Sequence, residues 1–325
     1  QNYGKLKIKK MATLSIPTVD LSPFLGEGDE DDKKKAIEEV GRACSEYGFF
    51  QVVNHGVPLG LMSRALELSK KFFGYPLEDK LKASPMPGSP LPLGYTGQTG
   101  HLTDNNEYIL MFSPDSRFNV YPADPPEYRE VLQEMFPHFR KAALTVESIV
   151  SQCLGLPTKF LTEYNNVRTW DVMAALHYAP ATDTQDSGQG EHKDSNCITF
   201  VCQDDVGGLE VKKDGNWIPI TPSEGTLVVN IGDVIQILSN DKFKSASHRV
   251  VRKRGRSRNS YAFFYNVEGE KWVEPLPQFT KEIGEPPKYR GFFYKEYAQL
   301  RIRNRMQPPS RAEDMINLNY YAIPT

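Results

Sequence analysis

Three residues, His192, Asp194 and His248, are of the types that bind transition metals. His192 and Asp194 lie two positions apart, so on a strand both side chains would leave the same face and could hold one ion. His248 follows 54 residues after Asp194 and must come from another strand to complete the site. Two imidazoles and one carboxylate on one face of an octahedron leave positions open, an arrangement that suits non-haem iron(II) and dioxygen.

An isolated His-x-Asp pair is a weak signal in a chain with six histidines. The other four histidines have no matching partner spacing, and we interpret each as an ordinary core or surface residue. They are His55, His101, His138 and His177.

A second pair strengthens the metal hypothesis. Arg258 and Ser260 are two residues apart at the start of an apolar run, so on a strand they would lie side by side. A guanidinium fork and a hydroxyl suit a carboxylate ligand. Ala262 and Phe264 continue the same face and would add an aromatic wall. The alternative for Arg258 is a solvated basic loop, because residues 252–258 hold five cations.

Composition excludes several functional classes. The 325 residues include 39 basic and 41 acidic ones, and no basic block could follow a phosphate backbone, so we expect no nucleic-acid partner. No apolar run reaches the roughly 18 residues of a membrane span. Four scattered cysteines indicate a reducing compartment, so we expect a cytoplasmic protein outside the membrane, and a monomer by default.

The N-terminal half has helical periodicity. Residues 37–47 repeat at helical spacing and Gly48 is placed to end that helix, with a strand predicted over 49–53. Pro58 is placed in the first turn of a second helix. Asp124 is a plausible start for a long helix that Pro137 should kink or split.

From about residue 170 the pattern changes to short β-type runs, such as 198–202, 226–231 and 259–267. Many strands without intervening helices favour a jelly roll over a parallel sheet. We therefore predict a mixed α and β protein with a jelly-roll core and flanking helices, as one structural unit. The predicted regions are a leader (1–10), a helical region with the first strands (11–165), the jelly-roll core (166–300) and a helical tail (301–325).

Longer motifs resemble the plant 2-oxoglutarate and iron(II)-dependent dioxygenases, the family of anthocyanidin synthase, flavonol synthase, gibberellin oxidases and hyoscyamine hydroxylase. The resemblance covers nearly all of residues 15 to 300. The motifs that carry it are 16-IPTVDL-21, 44-CSEYGFFQVVNHGVP-58, 70-KKFFGYPLEDKLK-82, 207-GGLEV-211, Trp217, 230-NIGDVIQILSN-240, 243-FKSASHRVV-251 and 275-PLPQF-279.

The resemblance implies a double-stranded β-helix, or jelly roll, and specific roles for the site residues. His192, Asp194 and His248 would ligate Fe(II), with 2-oxoglutarate as co-substrate, dioxygen as oxidant and ascorbate as reductant. Arg258, Ser260 and the hydroxyl of Tyr178 would hold the distal carboxylate of 2-oxoglutarate. The expected activity is hydroxylation or desaturation of a small apolar plant specialised metabolite of flavonoid, coumarin, alkaloid or terpenoid type.

The expected substrate pocket departs from the family in places. Leu176 replaces an asparagine found in many relatives, so we expect the geometry or substrate orientation at that corner to differ. A tryptophan usual in the segment 104–112 is missing, and Asn240-Asp241 replaces an Asn-Gly turn. The residues predicted to line the pocket are Phe264, Phe112, Tyr108, Leu110 and Leu176, with Met111 as a further apolar candidate. The alternative for Tyr108, Leu110, Met111 and Phe112 is an ordinary core position, because apolar strand residues usually pack inward.

Three alternatives stay open at this level. A hormone oxidase of gibberellin or auxin type would use the same chemistry. An oxidase of the same fold that dispenses with 2-oxoglutarate, as in the ethylene-forming branch, can also carry an Arg-x-Ser pair. A non-catalytic binding protein on this scaffold is disfavoured by the intact His192, Asp194 and His248.

Overall fold

The computed structural model describes residues 15–26, 28–97, 104–307, 309, 311 and 314–324. Within these ranges no helix is long and apolar enough to cross a membrane. The helices are α1 (Glu30–Glu46), α2 (Leu59–Phe73), α3 (Leu77–Lys80), α4 (Tyr128–Cys153), α5 (Phe160–Tyr164), α6 (Asp233–Leu238) and α7 (Tyr294–Met306).

Two facing sheets form the centre of the molecule, and all of their strand pairs are antiparallel except β1 with β2. The large sheet has the order β1 (Thr18–Asp20), β2 (Phe49–Val53), β10 (Leu227–Ile231), β7 (Ile198–Gln203), β12 (Arg258–Tyr265), β5 (Val172–Tyr178), β4 (Glu107–Met111), β3 (Gly94–Thr96). The smaller sheet has the order β6 (Ser187–His192), β11 (His248–Val251), β8 (Leu209–Lys213), β9 (Asn216–Pro219). A separate ribbon pairs β13 (Trp272–Val273) with β14 (Phe292–Phe293).

Side-chain alternation along the strands of the large sheet produces two apolar cores. On β12, Phe263 points outward and stacks on Phe139 of α4, with ring centroids 5.7 Å apart. Its neighbours Ala262 and Phe264 point to the other side, where they join the apolar residues between the two sheets. The helices therefore cover one face of the large sheet, and the space between the sheets is left for the site. This confirms the predicted jelly-roll core with flanking helices.

The start of the chain follows the sequence prediction closely. Helix α1 ends before Gly48, which has a positive φ of 67°, and β2 begins at Phe49 as predicted. A Cβ at Gly48 would lie 2.3 Å from the carbonyl oxygen of Lys244, so only glycine fits this turn. Pro58 precedes α2 as its N-cap residue rather than lying in its first turn.

The long helix α4 differs from its prediction at its start. It begins at Tyr128 rather than near Asp124, because Glu127 has a left-handed backbone (φ 71°) that cannot continue a helix backwards. Pro137 does not split it. A proline inside a helix costs about 3 kcal/mol or more. Phe136 and Phe139, which flank it, are fully buried against Phe263, and this packing offsets the loss.

The predicted N-terminal region and the predicted jelly-roll core both contribute strands to the large sheet. Strands β1 to β4, from the N-terminal region, join the large sheet together with strands of the predicted core. Helix α7 begins at Tyr294, ahead of the expected tail. The four cysteines are all free thiols, as expected for scattered positions.

Candidate metal centre and active site

His192 and His248 are brought together by the smaller sheet. His192 is the last residue of β6 and His248 is the first residue of β11, and their Cα atoms are direct cross-strand partners. Asp194 lies two residues beyond the end of β6, in the connection to β7. The expectation that His192 and Asp194 would both lie on a strand was therefore wrong. Asp194 reaches the site because the chain turns towards the large sheet after β6.

The three side chains form a compact ligand set. Oδ1 of Asp194 lies 3.7 Å from Nε2 of His192 and 3.6 Å from Nε2 of His248. The imidazole ring centroids are 4.2 Å apart, and all candidate ligand atoms lie within 4.8 Å of one another. These separations are those of donors placed around one common centre. Within the described ranges, these three residues are the one cluster of histidine, cysteine and acidic side chains with this geometry.

The backbone orients both imidazoles for metal binding. Nδ1 of His192 lies 2.8 Å from the carbonyl oxygen of Gly190, and Nδ1 of His248 lies 3.1 Å from that of Ala246. A carbonyl only accepts, so each Nδ1 carries the proton and each Nε2 keeps its lone pair. Burial lowers the pKa of His192 to about 4, and the neighbouring His248 ring adds to the shift. His192 is therefore neutral and ready to coordinate at neutral pH.

Asp194 is oriented by two residues from the large sheet. Its Oδ2 accepts hydrogen bonds from the hydroxyl of Thr199 (2.6 Å) and the amide of Asn230 (2.8 Å), so that Oδ1 faces the histidines. Burial alone would raise the pKa of Asp194, but the two imidazoles and these hydrogen bonds outweigh it, and the pKa lies below its usual value. The carboxylate is thus ionised and held in one orientation.

We expect Thr199→Val to weaken metal binding without unfolding the protein. The valine keeps the shape of the side chain but removes the donor that fixes Asp194. Loss of a hydrogen-bond partner behind a ligand typically lowers metal affinity by about 10- to 100-fold. Anaerobic titration of the metal-free protein with Fe(II) measures the change. Thr226→Val is the control, because the Thr226 hydroxyl bonds only the carbonyl of Ser223 among the described contacts; equal affinities for the two variants would contradict the role of Thr199.

The buried guanidinium of Arg258 forms a second polar site on β12. Arg258 is 3 % exposed, so the alternative of a solvated basic loop is wrong at this position. It donates to the hydroxyl of Ser260 (2.9 Å) and to the side-chain oxygen of Gln203 (3.1 Å), both neutral groups. Its Nε has no hydrogen-bond partner among the described residues, and none of their carboxylates forms an ion pair with it. A buried, unpaired cation is costly, so this pocket fits an incoming carboxylate.

Tyr178 connects the two polar sites. It is the cross-strand partner of Arg258, and the guanidinium carbon lies 5.0 Å from the centre of its ring. Its hydroxyl donates to the side-chain oxygen of Gln189 on β6 at 3.2 Å. The amide nitrogen of the same Gln189 lies 3.2 Å from Nε2 of His192. A chain of contacts, one cation–π and two polar, therefore runs from the arginine to the metal ligands.

Apolar side chains complete the space between the sheets. Tyr108, Leu176 and Ser260 occupy one row across β4, β5 and β12. Leu110 and Phe264 pack against the same inner cluster. Thus four of the predicted pocket residues share the face that carries Arg258 and Ser260.

The other two predicted pocket residues are placed differently. Met111 belongs to the outer core beneath the helices, because it alternates with Leu110 along β4. Phe112 follows the end of β4, and its backbone N–H donates to Asn119. Met111 therefore faces away from the site.

The other histidines that the structure describes lie outside the metal cluster. His55 is buried and accepts a hydrogen bond from the N–H of Val57, while His177 stacks on Phe73 and bonds to Asn259. His138 lies on α4. His101 lies outside the described residues.

Sequence reasoning missed four residues that shape the site: Gln189, Thr199, Gln203 and Asn230. Asn230 begins a motif, 230–240, that carried the family resemblance, so a signal existed for it. The other three lie in strand runs with no distinctive spacing. Their roles depend on pairing between strands distant in sequence.

Comparison with known proteins establishes the family. Residues 169–267 match the 2OG-Fe(II) oxygenase superfamily, and residues 16–136 match the N-terminal region described as non-haem dioxygenase in morphine synthesis. Jasmonate-induced oxygenase 1 of Arabidopsis thaliana is 36% identical over 91% of this chain and 74% of its own length. The chain belongs to the 2-oxoglutarate and iron(II)-dependent dioxygenases. It is accordingly an oxidoreductase that depends on 2-oxoglutarate and binds iron.

Other relatives differ in the substrates that their names state. Flavonol synthase/flavanone 3-hydroxylase of Arabidopsis thaliana is 32% identical over 89% of this chain and 87% of its own length. Among solved structures, JOX2 in complex with 2OG, Fe and JA superposes with a TM-score of 0.82 and 30% identity, over 96% of this chain and 90% of that one. This dioxygenase is thus about equally similar to enzymes named for different substrates, and the substrate must be argued from its own site.

Both family cofactors fit the residues present. Two imidazoles and an ionised carboxylate are a donor set suited to Fe(II). The guanidinium of Arg258, buried and without a carboxylate partner among the described residues, fits the far carboxylate of 2-oxoglutarate.

Proposed function

We propose that this dioxygenase hydroxylates or desaturates a small, largely apolar plant specialised metabolite that carries no carboxylate, of the flavonoid, coumarin, alkaloid or terpenoid type. The observation behind this proposal is the character of the large sheet. Apart from the polar groups that contact Asp194 and Arg258, its inner face is apolar, and in its described strands Arg258 is the only lysine or arginine. A hormone oxidase of gibberellin or auxin type is the second candidate.

In this proposal each polar residue of the site has one task. His192, Asp194 and His248 hold Fe(II). Arg258 and Ser260 bind the distal carboxylate of 2-oxoglutarate, and Tyr178 lies beside them as a third contact. A hydroxyl that accepts one hydrogen bond can still donate one, so Ser260 can accept from Arg258 and donate to the carboxylate.

When bound, iron and 2-oxoglutarate would together supply the electrons that activate dioxygen for attack on a C–H bond, with 2-oxoglutarate oxidised to succinate and carbon dioxide. The protein positions the co-substrate and the substrate and keeps water away from the metal. The buried Arg258 and Ser260 fix one end of the co-substrate, and the two sheets exclude water from the reacting centre. Tyr108, Leu110, Leu176 and Phe264 then hold an apolar molecule against the metal.

Leu176 supports an apolar substrate in particular. It lies between Tyr108 and Ser260 in the same cross-strand row and is 9 % exposed. A leucine here offers no hydrogen bond, so a polar substrate group placed against it would lose its contacts with water without compensation. An apolar ring or chain loses nothing at this position.

The charge of the substrate distinguishes the two candidate functions. Gibberellins, auxins and jasmonates carry a carboxylate, whose burial requires a cation or several donors. In the eight described strands of the large sheet, Arg258 is the only lysine or arginine, and in this proposal 2-oxoglutarate occupies it. A neutral substrate needs no second cation on this wall, which favours the specialised metabolite.

The experiment supplies the enzyme with Fe(II), ascorbate and 2-oxoglutarate and measures succinate with a panel of flavonoids, coumarins, alkaloids, terpenoids and plant hormones. We expect succinate release to rise with a member that carries no carboxylate, and mass spectrometry to show the gain of one oxygen atom or the loss of two hydrogens. For an acidic hormone, the matched control is its methyl ester. Turnover of the acid but not of its ester would overturn the proposed substrate class.

Further expectations remain predictions. Ascorbate as the reductant is tested by omitting it from the same assay, which should shorten the time over which activity persists. A monomer is tested by size-exclusion chromatography with light scattering. A cytoplasmic location is tested by imaging a fluorescent fusion in plant cells.

A further inference from the structure

Gln189 occupies an unusual position between the metal ligands and the proposed co-substrate site. It lies on β6, three residues before His192, and its side chain is only partly buried. Its amide nitrogen is 3.2 Å from Nε2 of His192, which is the atom that would bind iron. Its amide oxygen accepts a hydrogen bond from the hydroxyl of Tyr178 at 3.2 Å.

The hydrogen-bond partners determine which way this amide points. The proton of the His192 ring is on Nδ1, where it is donated to Gly190, so Nε2 can only accept. The group of Gln189 that faces Nε2 must therefore be the NH₂, and its oxygen must face Tyr178. The two contacts are consistent with this single orientation. The amide thus uses the same lone pair that a metal ion requires.

Metal binding and this hydrogen bond exclude each other. When iron takes Nε2 of His192, the N–H of Gln189 must find another acceptor nearby. Tyr178 still holds the amide oxygen on the side next to Arg258. In the proposed function, Arg258 would hold one end of 2-oxoglutarate and the metal site the other, so that oxygens of the co-substrate would come into this region. An amide polarised by the tyrosine is a good donor to such an oxygen.

We propose that Gln189 binds the iron-proximal end of 2-oxoglutarate, and that it gives up its contact with His192 to do so. This inference rests on the proposed roles of His192 and Arg258. It makes Gln189 a further co-substrate-binding residue, and it predicts that this side chain opposes metal binding and favours co-substrate binding.

The test measures the two binding constants separately in Gln189→Leu. Leucine has a similar size but no donor. Because the competing hydrogen bond is gone, Fe(II) should bind the metal-free protein about threefold more tightly. Because a hydrogen bond to a charged group is lost, 2-oxoglutarate should bind the iron-loaded protein about 10-fold more weakly. Fe(II) is titrated anaerobically by calorimetry, and 2-oxoglutarate is then titrated under nitrogen by the visible absorption of its iron complex.

Two further variants make the result decisive. Gln51→Leu removes a partly buried glutamine of β2 that bonds Thr18, and it should change neither constant. Gln189→Glu places an acceptor and a negative charge at the same point, so Fe(II) should bind more tightly still and 2-oxoglutarate more weakly than in the leucine variant. It also decides the test if Gln189→Leu fails to fold.

The outcomes separate this inference from the proposed function. If Gln189 had only a general structural role, its replacement would weaken the binding of Fe(II) and of 2-oxoglutarate together. If it had no role, both dissociation constants would stay unchanged. Either result overturns the assignment of Gln189. Failure of the unaltered protein to bind Fe(II), or to develop the absorption with 2-oxoglutarate, would instead overturn the proposed roles of the site residues.

Discussion

Asp194→Ala should leave a folded protein that neither retains iron nor releases succinate. Asp194 is the anionic member of the ligand set, and its Oδ1 lies within 3.7 Å of both imidazole nitrogens. Losing a residue behind a ligand already costs about 10- to 100-fold in metal affinity, so losing the ligand should cost more. Iron content after anaerobic loading and gel filtration measures the first effect, and succinate release measures the second.

A stability measurement provides an independent test of Asp194. A ligand that binds only the folded state raises the unfolding temperature, so Fe(II) should stabilise the unaltered protein and not the variant. Asp183→Ala is the matched control, because Asp183 is exposed and pairs only with Arg254 on the surface among the described contacts. If Asp194→Ala kept stoichiometric iron, the three-residue metal site would be the wrong assignment.

Replacing Arg258 by glutamine should raise the dissociation constant of 2-oxoglutarate by about 100- to 1,000-fold, because removing one partner of a buried charge pair costs about 3 to 4 kcal/mol. The buried guanidinium has only neutral partners among the described residues, so it is arranged to receive a negative charge. Iron binding should be unaffected, since Arg258 contacts none of the three ligands. Anaerobic titration of the iron-loaded variant with 2-oxoglutarate measures the change.

Arg258→Lys and Arg256→Gln complete that series. Lysine keeps the charge but loses the fork that pairs with both carboxylate oxygens, so we expect an intermediate loss. Arg256 lies two residues away but is exposed and pairs with Asp205 on the surface, so its replacement should leave the dissociation constant unchanged. Equal effects of the Arg256 and Arg258 replacements would indicate a nonspecific electrostatic effect and contradict the proposed carboxylate site.

Local patterns in the chain predicted much of this architecture correctly. The helix before Gly48, the strand 49–53 and the apolar run that forms β12 each depend on neighbouring residues, through periodicity and turn chemistry. Distant contacts decided whether Pro137 would split its helix, which the local signal left open. Pro137 stays inside α4 because aromatic residues around it pack against β12, a contact that no local pattern reveals.

The same division holds within the site. Residue type and spacing selected His192, Asp194 and His248, whose ligand atoms the fold brings within 4.8 Å of one another, although Asp194 lies beyond the strand. Two-residue spacing sets the face of a strand, and it correctly placed Arg258 beside Ser260. The neighbouring candidates Leu110 and Met111 divide by face: Leu110 faces the site and Met111 faces the helices. A shift of one residue reverses the face, and only strand pairing specifies which residue is inside.

Amino-acid types alone determined the chemistry available to this protein, namely two imidazoles, one carboxylate and an arginine that suits a carboxylate ligand. Tertiary structure decided how those groups meet. It paired His192 with His248 across two strands, supplied Thr199 and Asn230 from the opposite sheet to orient Asp194, and placed Gln189 between a metal ligand and Tyr178. These contacts join residues up to 56 positions apart (192 to 248), and their geometry arises from sheet register rather than from any local preference of the chain.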